Sequence, residues 1–249
     1  MKKILTGKPL NSYLQAHLML KILLTLGFFC CGINLAISQL ADGNQLWVES
    51  SYRHYKKDSR LHPEKQMVEL KRSSPELVYD LRYATRNNFM QRLMYPAGTS
   101  SAFLRKPAAD ALSQVQQELA KQGYGLKIFD AYRPYAVSKK FWELVKDERY
   151  VANPAKGSNH NRGTAVDLTL IHLKTGEELD MGTGFDNFTD SAHHTFLQLP
   201  AEVLSNRKKL RSVMERYGFS ALSTEWWHYS FQSKMDYTLL DIPFKKLKR

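Results

Sequence analysis

Cysteine is almost missing from this sequence. Of 249 residues only Cys30 and Cys31 are cysteines, side by side in an apolar stretch near the start. Neither sits in a Cys-x-x-Cys frame, so a structural zinc knuckle and a dithiol redox pair are excluded. Without the first 38 residues no thiol is left, which suits an oxidising compartment. Repeats and low-complexity tracts are absent, which rules out solenoid and array folds. Helix-turn-helix, zinc-finger and aromatic-basic platform patterns are absent too, so the net charge of +12 does not read as a nucleic-acid footprint. Acids are missing from residues 1–38, which hold Lys2, Lys3, Lys8 and Lys21. The rest of the chain therefore carries 32 basic against 24 acidic side chains, or +8. Such a charge is compatible with an anionic membrane or an anionic wall polymer.

The longest apolar run, Ile22 to Ile37, falls short of the roughly 20 residues a membrane-spanning helix needs. Behind a basic front it has the length of a signal-peptide core, and Ala36-Ile37-Ser38 places small residues for cleavage before Gln39. Residues 1–38 are read as a signal peptide, with an uncleaved single anchor as the alternative, and the chain as exported and periplasmic. Phe29 and Cys30 stand where small residues precede a lipid-modified cysteine, which argues against a lipoprotein. Residues 39–75 show no sustained period and read as a linker or irregular lead-in. A catalytic domain is expected over 76–242, and the lysine-rich 243–249 reads as a solvated basic tail.

Within that domain, strands and helices are interspersed. Leu77–Tyr83 alternates as a strand. Leu104–Lys121 has helical apolar spacing and is closed by Gly123. Leu126–Asp130 is a short strand, and Pro134 opens a helix through Phe141, Trp142 and Val145. Thr164–Ile171 is a strand running into a hairpin turn at Lys174–Glu177. Glu202–Tyr217 is a third long helix, and Trp226–Phe231 is the last strand.

The chemistry concentrates in two stretches. Ser158-Asn-His-Asn-Arg-Gly-Thr-Ala-Val-Asp167 places His160 in a loop and Asp167 on the strand that follows. Glu225-Trp-Trp-His228 adds an imidazole and a carboxylate. His160, Asp167 and His228 would make a three-ligand zinc site with one position open to water. Glu225 would be the general base, its pKa raised by the tryptophans that wall off solvent. Positions three apart on a strand face opposite ways, so Glu225 must sit at the strand entrance or on a bulge to share the site with His228. Arg133 could stabilise the oxyanion on an attacked carbonyl. A structural ion pair with Asp130 explains that arginine equally well.

Four motifs occur in register: Ser-x-His-x-Arg-Gly-x-Ala-x-Asp, Asp130-x-Tyr-Arg-Pro134, Met181-Gly-x-x-Phe-Asp186 and Glu-Trp-Trp-His. Together they resemble the D-alanyl-D-alanine dipeptidase family of zinc enzymes, from about Val78 to about Tyr237. The resemblance implies an α+β fold, a hedgehog/DD-peptidase-like antiparallel sheet flanked by helices. It implies one zinc ion on His160, Asp167 and His228, with Glu225 as base and Arg133 at the transition state. It further implies Asp186 as acceptor of the dipeptide's free amino group, Ser158 near the substrate carboxylate and Tyr83 shaping the pocket. The implied substrate is D-alanyl-D-alanine. The alternative is a periplasmic zinc D,D-carboxypeptidase or endopeptidase acting on longer peptidoglycan peptides, which the apparent export signal favours and Asp186 opposes.

Overall fold

The computed structural model describes residues 46–148 and 150–248. By contacts the chain divides into Met1–Gln45 and Leu46–Arg249, and the expected signal peptide lies outside the described residues. The elements in chain order are β1 (Val48–Glu49), α1 (Tyr52–Leu61), β2 (Met67–Glu69), α2 (Leu70–Ser73), β3 (Val78–Tyr79), β4 (Phe103–Arg105), α3 (Lys106–Ala120), β5 (Tyr124–Asp130), α4 (Tyr135–Val145), α5 (Asn159–Arg162), β6 (Ala165–His172), α6 (Ala201–Arg216), β7 (Phe219–Leu222), β8 (Glu225–Phe231), β9 (Leu239–Leu240) and α7 (Phe244–Leu247).

Five strands form the central sheet in the order β3-β5-β6-β8-β7. All neighbours are antiparallel except β3 and β5, which run parallel, so the expected antiparallel sheet has one parallel edge. β6 lies in the middle, and every residue from Ala165 to Ile171 is buried. Its run of β-branched and aliphatic residues suits a strand covered on both faces. Leu112, Val115 and Leu119 of α3 and Leu210, Val213 and Met214 of α6 pack in one cluster with Leu126, Ile128, Val166 and Leu168 of the sheet. Each full burial of such a side chain contributes about 1.5–3 kcal/mol. A second, aromatic cluster joins Tyr83, Tyr95, Phe103, Tyr132 and Phe141 to Ile242 and Phe244.

The structure corrects several expectations. The lead-in is part of the fold where it is described: β2 pairs antiparallel with β4 at Met67↔Arg105, and β1 pairs parallel with β9. Tyr55 of α1 is buried and its hydroxyl accepts from Met67 N at 2.7 Å. These strands are too short to show a period, which is why they escaped a pattern reading. The expected strand Leu77–Tyr83 stops after Tyr79. Asp80 pairs with Arg82 at 2.7 Å, and a 3₁₀ turn over Arg82–Ala84 sends Leu81 and Tyr83 into different clusters. The basic tail is not wholly solvated either, because α7 buries Phe244 and Leu247 while Lys245 and Lys246 stay exposed. The three long helices, the Lys174–Glu177 turn and strands β5, β6 and β8 stand where the sequence placed them, within a residue or two.

Candidate metal centre and active site

The sheet register itself assembles the site. Asp130 at the end of β5 pairs with Asp167 of β6, and Asp167 pairs with His228 of β8. Three chemically active side chains thus stand side by side on three neighbouring strands, a spacing of about 5 Å per pair.

His160 arrives from a different element. The sequence reading put it in a loop, but it sits in the one-turn helix α5, whose N-cap Ser158 accepts from His160 N at 3.2 Å. Gly163 closes the turn at φ +74°, a conformation that favours glycine. A Cβ there would meet Met67 Sδ at 2.7 Å, so β2 packs directly under the turn. The His160 ring is buried, and its Nδ1 lies 2.7 Å from the carbonyl of Ala131. That contact places the proton on Nδ1 and leaves the Nε2 lone pair facing the site.

His160 Nε2 lies 3.2 Å from His228 Nδ1 and 3.4 Å from Asp167 Oδ2, and His228 Nδ1 lies 2.9 Å from Asp167 Oδ1. Ligand atoms bound tetrahedrally to a zinc-sized ion stand about 3.3–3.6 Å apart. The two imidazole nitrogens stand close to that spacing, and each faces a different oxygen of the Asp167 carboxylate. His228 Nε2 lies 3.2 Å from Ser230 Oγ, which completes the same arrangement as at His160, one ring nitrogen held by the protein and the other turned inward. Among the described residues this is the one His/Cys/Asp/Glu group able to hold a metal ion. Burial opposes charge at both Asp167 and His228. Even so, the two imidazoles hold the Asp167 carboxyl below its ordinary pKa, and Asp167 raises that of His228.

Glu225 meets the geometric demand made of it. It is the first residue of β8, and the β7–β8 register breaks between Ala221↔Tyr229 and Leu222↔Glu225. The irregularity turns Glu225 to the same side as His228, with Oε2 4.0 Å from His228 Nδ1. Burial raises its pKa above the ordinary carboxylate value. Of the two tryptophans only Trp227 lines the pocket, while Trp226 donates from its indole to Thr183 Oγ1 at 2.8 Å.

Arg133 satisfies both readings offered for it. Its Nε and Nη2 donate to Asp130 Oδ2 at 3.1 and 2.8 Å, and its guanidinium lies 5.0 Å from the ring centres of Tyr83 and Phe141. It also lines the pocket together with His160, Asp167 and His228. Burial works to lower its pKa, but Asp130 together with Tyr83, Tyr95 and Asp167 outweighs that and holds it firmly charged. Tyr95, which no sequence signal singled out, donates to Asp130 Oδ1 at 2.5 Å.

Asp186 borders the same cavity, held at φ +60° in a loop. Tyr83 donates to its Oδ1 at 3.0 Å, while Oδ2 is buried without a partner. Burial pushes its pKa up to about 8. A buried carboxylate oxygen left bare in a pocket wall is a place for a cationic group. The pocket has a volume of about 280 Å3, and Phe89, Phe188 and Tyr150 add aromatic walls. That is at the small end for ligand sites. Ser158 lines it as well as capping α5, whereas His193 and His194 take no part in the metal group. All eight side chains singled out from sequence thus border one cavity.

A family model described as D-ala-D-ala dipeptidase, of the M15 peptidases, matches residues 63–246. The D-alanyl-D-alanine dipeptidase of Escherichia coli K12 is 35% identical over 175 residues, covering 70% of this chain and 89% of that protein. That of Enterococcus faecium is 34% identical over 169 residues, covering 61% and 84%. Among solved structures, the D,D-dipeptidase VanXYg in complex with a D-Ala-D-Ala phosphinate analog aligns at 18% identity and a TM-score of 0.36, over 67% of each chain. The LD-carboxypeptidase LdcB aligns at 25% identity and a TM-score of 0.36, over 53% of this chain and 60% of that one. The family model covers most of the sequence, including every residue of the triad and its neighbours, and on that ground the chain belongs to the D-ala-D-ala dipeptidase family of M15 peptidases.

Proposed function

We propose that this chain is a zinc-dependent dipeptidase that hydrolyses D-alanyl-D-alanine in cell-wall peptide metabolism. The observation that carries the reading is the inward convergence of His160 Nε2, His228 Nδ1 and the Asp167 carboxylate. Two imidazoles and one carboxylate are a donor set zinc accepts, and three protein ligands leave a position open. Zinc held there supplies a water whose pKa is lowered to about 7 and a positive charge beside the attacked carbonyl.

The chain's own groups do the rest. Glu225, with its raised pKa, takes the proton of the attacking water and returns it to the departing amine. Arg133, held charged and oriented by Asp130, donates to the oxygen on which negative charge grows. The free ammonium of the dipeptide offsets the burial that keeps Asp186 protonated, so the carboxyl ionises and its Oδ2 accepts from the ammonium, while Tyr83 keeps the carboxyl turned toward the cavity. Ser158 lies near the substrate carboxylate. The small cavity suits a dipeptide of small side chains better than a polymer strand.

The basic front and apolar run of residues 1–38 support export, so the substrate is a wall-derived dipeptide met outside the cytoplasm. The test compares free D-alanyl-D-alanine with its N-acylated form and with longer peptides ending in it, alongside metal analysis. Hydrolysis confined to the free dipeptide, with one zinc per chain, is expected. Equal rates on the blocked form would replace this reading by a carboxypeptidase.

A further inference from the structure

Helix α1 carries a surface that the proposed chemistry does not use. Its exposed positions are Arg53, His54, Lys56, Lys57, Arg60 and Leu61, with Tyr55 buried on the opposite side. At 3.6 residues per turn these positions span about 160° of the helix, centred opposite Tyr55. Of the nearby acids, Glu49 lies 3.8 Å from His54, and both it and Asp58 have partners off this face. Asp58 accepts from Lys65 at 2.9 Å, and Glu49 accepts from Ser51 N at 2.6 Å. Among the described residues no ion pair with an acid involves Arg53, Lys56, Lys57 or Arg60. Large apolar side chains flank this charge. Trp47, which borders the same hollow as His54, is 72% exposed, and Leu61 at the end of the helix is 68% exposed.

We propose that this face is a docking surface for a lipid bilayer carrying anionic phospholipid. The four permanent cations would lie among the headgroup phosphates, and Trp47 and Leu61 would enter the interfacial region. Basic residues at an anionic bilayer and tryptophan at its interface are each favoured there. A soluble polyanion would use the cations but leave Trp47 and Leu61 without a partner, so the observations favour lipid. The inference does not depend on the peptidase reading.

The test uses the full chain and sedimentation with phosphatidylcholine vesicles, with and without phosphatidylglycerol. Neutral vesicles register the apolar N-terminal run, and the ratio of anionic to neutral binding registers the basic face. The triple variant R53E/K57E/R60E should lower that ratio at least about tenfold, and salt should lower it for the parent. The control K245E/K246E should change it by less than about twofold. Trp47→Ser should weaken binding to anionic vesicles a few-fold. Circular dichroism and the thermal midpoint, rather than activity, establish that each variant is folded. If the triple variant does not fold, the single changes Arg53→Glu and Lys57→Glu should each lower the ratio a few-fold. An unchanged ratio in the α1 variants, or an equal fall in the control, would overturn the proposal. So would tight binding to soluble polyglutamate with no preference between the two vesicle types.

Discussion

Asp130 holds the guanidinium of Arg133 at two nitrogens, Nη2 at 2.8 Å and Nε at 3.1 Å. The pair is almost fully buried, and Tyr95 donates to the other oxygen of the same carboxylate. Arg133 is therefore fixed before substrate arrives. Replacing Arg133 with Ala should lower kcat about 10²–10³-fold, the usual loss for one oxyanion donor. Asp130→Asn should also lower kcat with little change in KM. It should destabilise the fold by about 3–5 kcal/mol as well, because it leaves a buried cation unpaired. Steady-state kinetics and urea unfolding of the two variants check this. A fully active Asp130→Asn protein would show that the pair does not position Arg133.

The Asp186 carboxyl titrates near about 8 in the folded chain, above its ordinary 3.8, so the folded state keeps a proton that the unfolded state releases. Its contribution to stability is complete below about pH 4 and is lost as pH rises through about 8. In metal-free protein without substrate, Asp186→Asn should thus flatten the decline of the thermal midpoint between about pH 5 and 8. Identical slopes in parent and variant would remove Asp186 as their source. In the loaded enzyme the same change should raise KM for the free dipeptide about tenfold or more, a lost charge-assisted contact.

Glu225 lies beside the triad without belonging to it. Glu225→Ala should lower kcat about 10²–10⁴-fold, while metal content stays at the parental value. Loss of zinc together with activity would instead make Glu225 a ligand.

Removal of metal should abolish hydrolysis, and added zinc should restore it. It should also lower the thermal midpoint, since an ion present at about 100 times its Kd stabilises the fold by about 2.7 kcal/mol. His160→Ala should remove both the rescue and the stability difference. A midpoint that ignores zinc would count against a site built from these three side chains.

The chemistry was more legible in the sequence than the framework. His160, Asp167, Glu225 and His228, which the fold gathers at one cavity, stand out because metal binding and proton transfer tolerate few residue types at few spacings. A strand entrance or a bulge at Glu225 followed from strand alternation once Glu225 was taken to share a site with His228. Tyr95 was not legible, because a phenol supporting a carboxylate has no characteristic spacing. The pairing of β2 with β4 and of β1 with β9 was hidden for a similar reason. Two or three residues cannot display a period, and their partners lie far along the chain. Phe244 and Leu247 were masked by the lysines between and beyond them, which dominate composition while the apolar pair settles into the aromatic cluster.

Arg105 is buried beneath the site. Its guanidinium donates to the carbonyls of Lys65, Arg162 and Thr238, and its own amide donates to the carbonyl of Gly163. One side chain thereby ties a segment ahead of the catalytic core, the turn that presents His160, and the stretch leading into β9. Damage far from the cavity, at either flank, is consequently transmitted to the imidazole. Replacing Arg105 with Met should therefore loosen the turn that carries His160 and weaken the hold on a metal there.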